Sequence, residues 1–207
     1  ALIARGDTVT VLDDLSTGRL ANLEQHKTSP SLTFVEGSIL DVPMVNSLVA
    51  KADHVFHLAA AVGVFNIVQN PLKSLSTNIR GSENVLEACA KNKVKRFLDL
   101  NSSTGYPDRR YPITEEEYWD DEPFISYYSY GWMRRYREKL MEHTSHLTDM
   151  HIGIARGTAI FGPHDNFDLK TCHVVPALIK RCLSDENPFI VWGSSDVVRD
   201  FLYVKDV

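Results

Sequence analysis

Apolar and polar positions alternate in blocks whose lengths switch between those of strands and those of helices. The opening ALIARGDTVTVLDDLSTG predicts the end of a helix, a stop at Gly6 and a strand over Thr8–Leu12 that runs into Asp13-Asp14. Gly6 after Arg5 suits a helix C-terminus, where a left-handed residue and a nearby cation are both favoured. The rhythm then repeats. Leu32–Val35 reads as a strand, Met44–Ala50 as a short helix and His54–Ala60 as a buried strand. Asn78–Asn92 reads as a helix with Val85, Leu86, Ala88 and Cys89 inward, and Arg96–Leu100 as a strand ending at Asn101-Ser102-Ser103. Tyr127–Ser145 is a long helix and His151–Ala155 a further strand. Strands alternating with helices predict right-handed βαβ units: an α/β fold with a doubly wound parallel sheet covered on both faces. After Phe161-Gly162-Pro163 the rhythm changes to a polar loop, a helix over Val174–Cys182 and a strand over Phe189–Trp192. Residues 1–160 are thus expected to form the sheet domain, and residues 161–207 the start of a smaller segment over the sheet's carboxyl edge.

Composition narrows the function classes. The 207 residues are 43% apolar and 24% charged, enough to bury a core, and 11 Gly and 9 Pro exclude a collagenous or disordered chain. A net charge of −5 argues against a nucleic-acid surface, which needs a clustered basic face. Three cysteines without CxxC spacing fit a reduced, cytoplasmic protein better than a disulfide scaffold or a zinc site. No apolar run approaches a membrane span, and no signal peptide opens the chain.

In a Rossmann-like dinucleotide-binding unit an acidic residue ends the second strand and holds the adenosine ribose, about 20 residues after a glycine loop. Asp13 stands at such a strand end, and the counting places the glycine loop and first strand upstream of Ala1. Two acids there would repel a 2′-phosphate, which favours NAD over NADP. On these residues alone, Asp13-Asp14 is equally a solvated turn.

Further stretches extend the pattern: LDDLSTG, VFHLAA, STNIRGSENVLEACAKNKVKRF, NSSTGYP, YSYGWMRRYREK and VWGSSDVVRDFLYVKDV. In this order they resemble the extended short-chain dehydrogenases/reductases of the NAD-dependent nucleotide-sugar epimerase/dehydratase family. FGPHDNF, followed by HVVPALIKR and VWGS, is most similar to GDP-L-fucose synthases and some 4-epimerases in that family. The resemblance implies that Asp13 and Asp14 hold the adenosine ribose and that Ser38-Ile39 lies against the adenine, Ser38 replacing the usual Asp. It implies that Leu58, Ala59 and Ala60 line the pyrophosphate and nicotinamide-ribose side. Asn78 matches an asparagine at the start of its helix that braces the strands beneath the cofactor; a helix N-cap is the alternative.

Tyr130 and Arg134 are four apart on a predicted helix and share a face. The family pattern is Tyr-Gly-x-Ser-Lys with a Glu four residues later; this chain has Tyr130-Gly131-Trp132-Met133-Arg134 and Glu138. The resemblance makes Tyr130 the catalytic base, with Arg134 doing the lysine's work on the tyrosine and the nicotinamide ribose, an exchange that is not conservative. It gives Ser102 the hydrogen bond to the sugar 4-oxygen, and Ser103, Thr104, His173 and Arg199 contacts to the substrate, Arg199 to its diphosphate. Dehydratases carry an Asp-Glu pair at Ser103-Thr104 and decarboxylases a Glu, so both reactions are disfavoured. Fucose synthases carry a cysteine at Thr104, which threonine does not replace as an acid or base. His173 is otherwise a loop residue before a helix.

The remaining clusters read as structural. Arg135, Arg137 and Lys139 form a solvated face around an inward Arg134, His143 and His146 lack a third metal ligand, and the cysteines are core or partly buried thiols. Trp119 packs locally in a surface loop.

The expectation is an NAD-dependent epimerase acting at C4 of a nucleoside-diphosphate sugar. The alternatives are an NADP-dependent 4-keto-sugar epimerase/reductase resembling GDP-L-fucose synthase and a non-catalytic dinucleotide-binding protein. No metal, membrane or nucleic acid enters the expectation, and a homodimer would pair through the tyrosine helix, with Tyr136 and Leu140 at the contact. The same resemblance implies that the chain is truncated at both ends. The missing first strand is expected to leave a gap between the strands ending at Asp13 and Ala60, a poorly stable chain and weak NAD binding.

Overall fold

The computed structural model describes residues 1–63, 70–191, 193–194 and 196–207. A first turn of helix, α1 (Leu2–Arg5), stops at Gly6, which takes the expected left-handed conformation at φ 97° and returns its N–H to Ile3. β1 (Val9–Asp13) and β2 (Leu32–Glu36) then pair in parallel, Val9 opposite Leu32 and Asp13 opposite Glu36. α2 (Val42–Val49) is capped by Asp41, whose carboxylate accepts from the Met44 N–H at 3.0 Å.

β3 (His54–His57), β4 (Arg96–Ser102) and β5 (His151–Gly157) form a second parallel sheet in the order β3-β4-β5. Two long helices connect them: α3 (Pro71–Lys91) and α4 (Tyr128–Leu147). Among the described residues no ladder joins β1 to β3, so the expected break in the sheet lies where the reading put it. α2, α3 and α4 bury one face. Val45, Val49, Val85, Leu86, Ala88, Cys89, Phe97 and Met141 form the core, and Val55, Ile152 and Ile154 pack against it.

α2, α3 and α4 lie over one face of the sheet, and Phe56, on the other face of β3, is 47% exposed. Several expectations need correction. β3 ends at His57, leaving Leu58–Ala60 as extended loop. α3 begins at Pro71, seven residues before the predicted start, because proline at a first helical position is already set for the helix. Asn78 therefore lies two turns inside α3 and is not its cap.

The run after Asn101 also differs in detail. α5 (Val174–Cys182) lies where it was predicted, but residues 189–191 form no strand, and Trp192 is outside the described residues. Instead β6 (Ala159–Phe161) and β7 (Phe201–Tyr203) pair in parallel as a separate two-stranded sheet. Of the cysteines, Cys89 is buried, Cys172 half-buried and Cys182 exposed, so the last is not a core thiol. Burial pushes the Cys89 thiol up to about 12, which keeps it inert.

Candidate active site

A cleft opens between the two sheets at their carboxyl ends. Asp13, Asp14, Gly37, Ile39, Ala59 and Ala60 are among the residues that line it, so five of the ten cofactor-binding positions expected from the sequence meet there. The acidic pair follows β1 directly. Asp13 accepts from the Leu15 N–H at 2.7 Å and Asp14 from the Ser16 N–H at 3.0 Å, which orders the turn below the strand end. Ile39 is fixed from α3: Asn84 Nδ2 donates to its carbonyl at 3.0 Å, and Gly81 leaves room for its side chain. A Cβ at Gly81 would stand 2.2 Å from Ile39 Cδ1. Ser38 and Leu58 are not among the lining residues; the Ser38 hydroxyl instead accepts from the Leu40 N–H at 3.2 Å.

Asn78 braces the far wall. Its Oδ1 accepts from the Ala61 N–H at 2.7 Å and its Nδ2 donates to the Ala61 carbonyl at 3.1 Å. One turn further along α3, Ser82 donates to the Asn78 carbonyl at 2.7 Å and so accepts from His57 Nε2 at 3.0 Å. His57 is 3% exposed. Burial, reinforced by the charges of Arg137 and Arg134, pulls its imidazole down to about 3.

Tyr130 and Arg134 lie inward on α4. Both are buried, and the Tyr130 hydroxyl and Arg134 Nε have no protein partner among the described residues. Burial and the neighbouring Arg137 charge hold the Arg134 guanidinium down to about 10, against the opposing pull of Asp99, Tyr118 and Tyr130. Ser102 closes β4 and opens the turn Ser103–Gly105. Its Oγ accepts from the Thr104 N–H and hydroxyl, each at 3.3 Å. The turn abuts the helix next to the tyrosine: a Cβ at Gly131 would stand 2.7 Å from the Thr104 carbonyl oxygen. The structure thus brings Ser102, Ser103 and Thr104 to the helix end that carries Tyr130 and Arg134. His173 and Arg199 are both exposed. Among the described residues neither shares a hydrogen bond or ion pair with that group, and Arg199 Nη1 donates only to the Val198 carbonyl at 2.9 Å.

The arginine run on α4 is not a solvated face. Arg135 and Arg137 are 3% and 1% exposed, and only Lys139 points to solvent. Arg137 forms an ion pair with the buried Asp99 of β4, whose carboxyl is pushed up by burial against the pull of Arg137 and Arg134. Glu138 accepts from Asn101 Nδ2 at 2.6 Å and from Arg156 Nε and Nη2 at 3.0 and 2.9 Å. Arg156 also lies 3.7 Å over the Tyr118 ring. Asp99, Asn101, Arg137 and Arg156 were missed from sequence. Asp99 alone gave a signal: a lone carboxylate inside a doubly flanked apolar strand calls for an inward cation.

Among the described residues no cluster of three or more His, Cys, Asp or Glu could hold a metal ion, and no helix is long and apolar enough to cross a membrane.

Comparison with known proteins fits this arrangement. The family described as "NAD dependent epimerase/dehydratase family" matches residues 1–207. UDP-glucuronic acid decarboxylase 2 of Arabidopsis thaliana is 30% identical over 207 residues, covering 100% of this chain and 44% of that protein. A probable GDP-L-fucose synthase of Drosophila melanogaster is 30% identical over 173 residues, covering 76% of this chain and 53% of that protein. The structure of UDP-glucose 4-epimerase from Thermotoga maritima with UDP-glucose superposes with a TM-score of 0.86 at 28% identity, covering 99% of this chain and 64% of that one. The chain spans about half the length of the curated relatives it matches.

Proposed function

We propose, from the premise that the chain belongs to the NAD dependent epimerase/dehydratase family, that it acts as an NAD-dependent epimerase at C4 of a nucleoside-diphosphate sugar. The observation that carries this reading is the buried Tyr130 hydroxyl, free of any protein partner among the described residues, with the cationic Arg134 one helical turn away and no acid in the adjoining Ser103–Thr104 turn.

The cleft residues fit the cofactor. Asp13 and Asp14 offer carboxylates to the adenosine ribose hydroxyls and repel a 2′-phosphate, which favours NAD over NADP. Ile39 offers an apolar contact to the adenine, and Ala59 and Ala60 let the diphosphate approach the backbone closely. NAD held by these residues would supply a hydride acceptor and donor at C4 of the sugar, which is the chemistry a 4-epimerisation needs. Tyr130 accepts the 4-hydroxyl proton and later gives it back, and Ser102 donates a hydrogen bond to the same oxygen. Arg134 balances the negative charge that Tyr130 acquires and offers its guanidinium to the nicotinamide ribose. Ser103 and Thr104 face the sugar, and His173 and Arg199 come to the substrate from the segment beyond residue 160, Arg199 gripping its diphosphate. Without an acid at positions 103–104, elimination and decarboxylation lack their proton carrier. The three free cysteines fit a cytoplasmic setting.

The expected result with NAD and UDP-glucose, or another nucleoside-diphosphate sugar, is the C4 epimer with the C4 deuterium label retained and no net NADH. Net consumption of NADPH with a 4-keto sugar would instead establish the reductase reading, which the fucose-synthase likeness favours.

A further inference from the structure

We propose that Arg135 is a positioning residue that fixes the Ser102–Gly105 turn against the helix carrying Tyr130 and Arg134. The inference rests on the reading of Ser102 and Tyr130 as the reacting pair.

A buried guanidinium without a carboxylate partner is costly, and a helix offers a surface position one or two residues away. Arg135 is nonetheless 3% exposed and makes no ion pair among the described residues. Its Nε donates to the Gly105 carbonyl at 2.9 Å. The guanidinium carbon lies 5.2, 5.5 and 5.9 Å from the ring centres of Trp132, Tyr118 and Trp119, which replace its lost hydration with three aromatic surfaces. Within the described residues this is the one hydrogen bond by which an α4 side chain reaches the turn's backbone.

The turn has no slack elsewhere. The Tyr106 N–H closes it on the Ser103 carbonyl at 3.0 Å, and the Thr104 N–H returns to Ser102 Oγ. A Cβ at Gly105 would stand 2.0 Å from the Tyr118 hydroxyl, and one at Gly131 2.2 Å from Pro123 Cβ. Turn, helix and aromatic wall therefore fit without intervening atoms, and Arg135 is the polar tie between them. Arg134 interacts with Tyr130 by charge, and Arg135 reaches the turn by its hydrogen bond to Gly105. Adjacent arginines thus divide the work: Arg134 addresses the tyrosine by charge and Arg135 addresses the serine by position.

The test combines deuterium exchange with turnover in Arg135→Met and Arg135→Lys. We expect the Thr104 and Tyr106 amides to exchange about tenfold faster, with β5 and the rest of α4 unchanged. Turnover should fall about 100-fold while KM stays near its starting value. Arg135→Lys should do no better than Arg135→Met, because charge without the planar fork does not reach the Gly105 carbonyl. Lys139→Ala, which strips the exposed cation lying 4.5 Å over Trp119, should leave both readouts unchanged. Unchanged exchange in the turn, exchange that quickens evenly through α4 and β5, or full activity in Arg135→Lys overturns the proposal. Should Arg135→Met not fold, the lysine variant carries both measurements. A protein that turns over no nucleoside-diphosphate sugar refutes the reading of the site, and the exchange measurement still decides the role of Arg135.

Discussion

A phenol buried without a hydrogen-bond partner costs about 1–3 kcal/mol, and Tyr130 bears that cost at the end of a helix that also carries a buried cation. Removing the hydroxyl therefore separates stability from chemistry. Tyr130→Phe should melt at the same temperature or higher, while turnover falls about 10²–10⁴-fold; a destabilised but active variant would contradict the assignment. At Arg134 we expect lysine to raise turnover, since a compact ammonium approaches both the tyrosine and a ribose where the fork is bulky. No turnover in either form would leave a dinucleotide-binding protein without catalysis. At this scale the placement of residues was readable where a motif fixed the spacing: Ser102 at a strand end, and Tyr130, Arg134 and Glu138 inward on one helix. It was not readable for Arg135 and Arg137, whose partners Gly105 and Asp99 lie 30 and 38 residues away. A charge run looks solvated until the strand that receives it is in place.

Among the elements, the β3–α3 contact carries a titration of its own. His57 is held near 3 in the fold and returns to about 6.5 when unfolded. Its folded value is depressed, so the unfolded chain binds the extra proton and stability is lost as pH falls below about 6.5. The loss from this one group is about 2 kcal/mol by pH 5. Urea unfolding at pH 8 and pH 5 should show that difference, and His57→Gln should remove most of it; an unaltered pH dependence would assign the effect elsewhere. Element types were largely legible because parallel strands and amphipathic helices impose different periods. Their limits were less so. The seven residues Pro71–Thr77 join α3 through proline's fixed geometry and tertiary packing, and Leu58–Ala60 leave β3 although they read as apolar strand, Ala59 and Ala60 lining the cleft.

For the whole molecule, the order of strands and the break between β1 and β3 followed from the βαβ rhythm together with the family likeness. The distribution of charge was hidden. Among the described residues three buried guanidinium groups stand against two buried carboxyl groups, so the accessible charge is more negative than the overall −5 indicates. A diphosphate approaching from solution meets net repulsion at long range. Encounter with NAD should therefore quicken as salt is added, the reverse of a protein that steers anions inward, and stopped-flow binding across a salt series would reveal the sign.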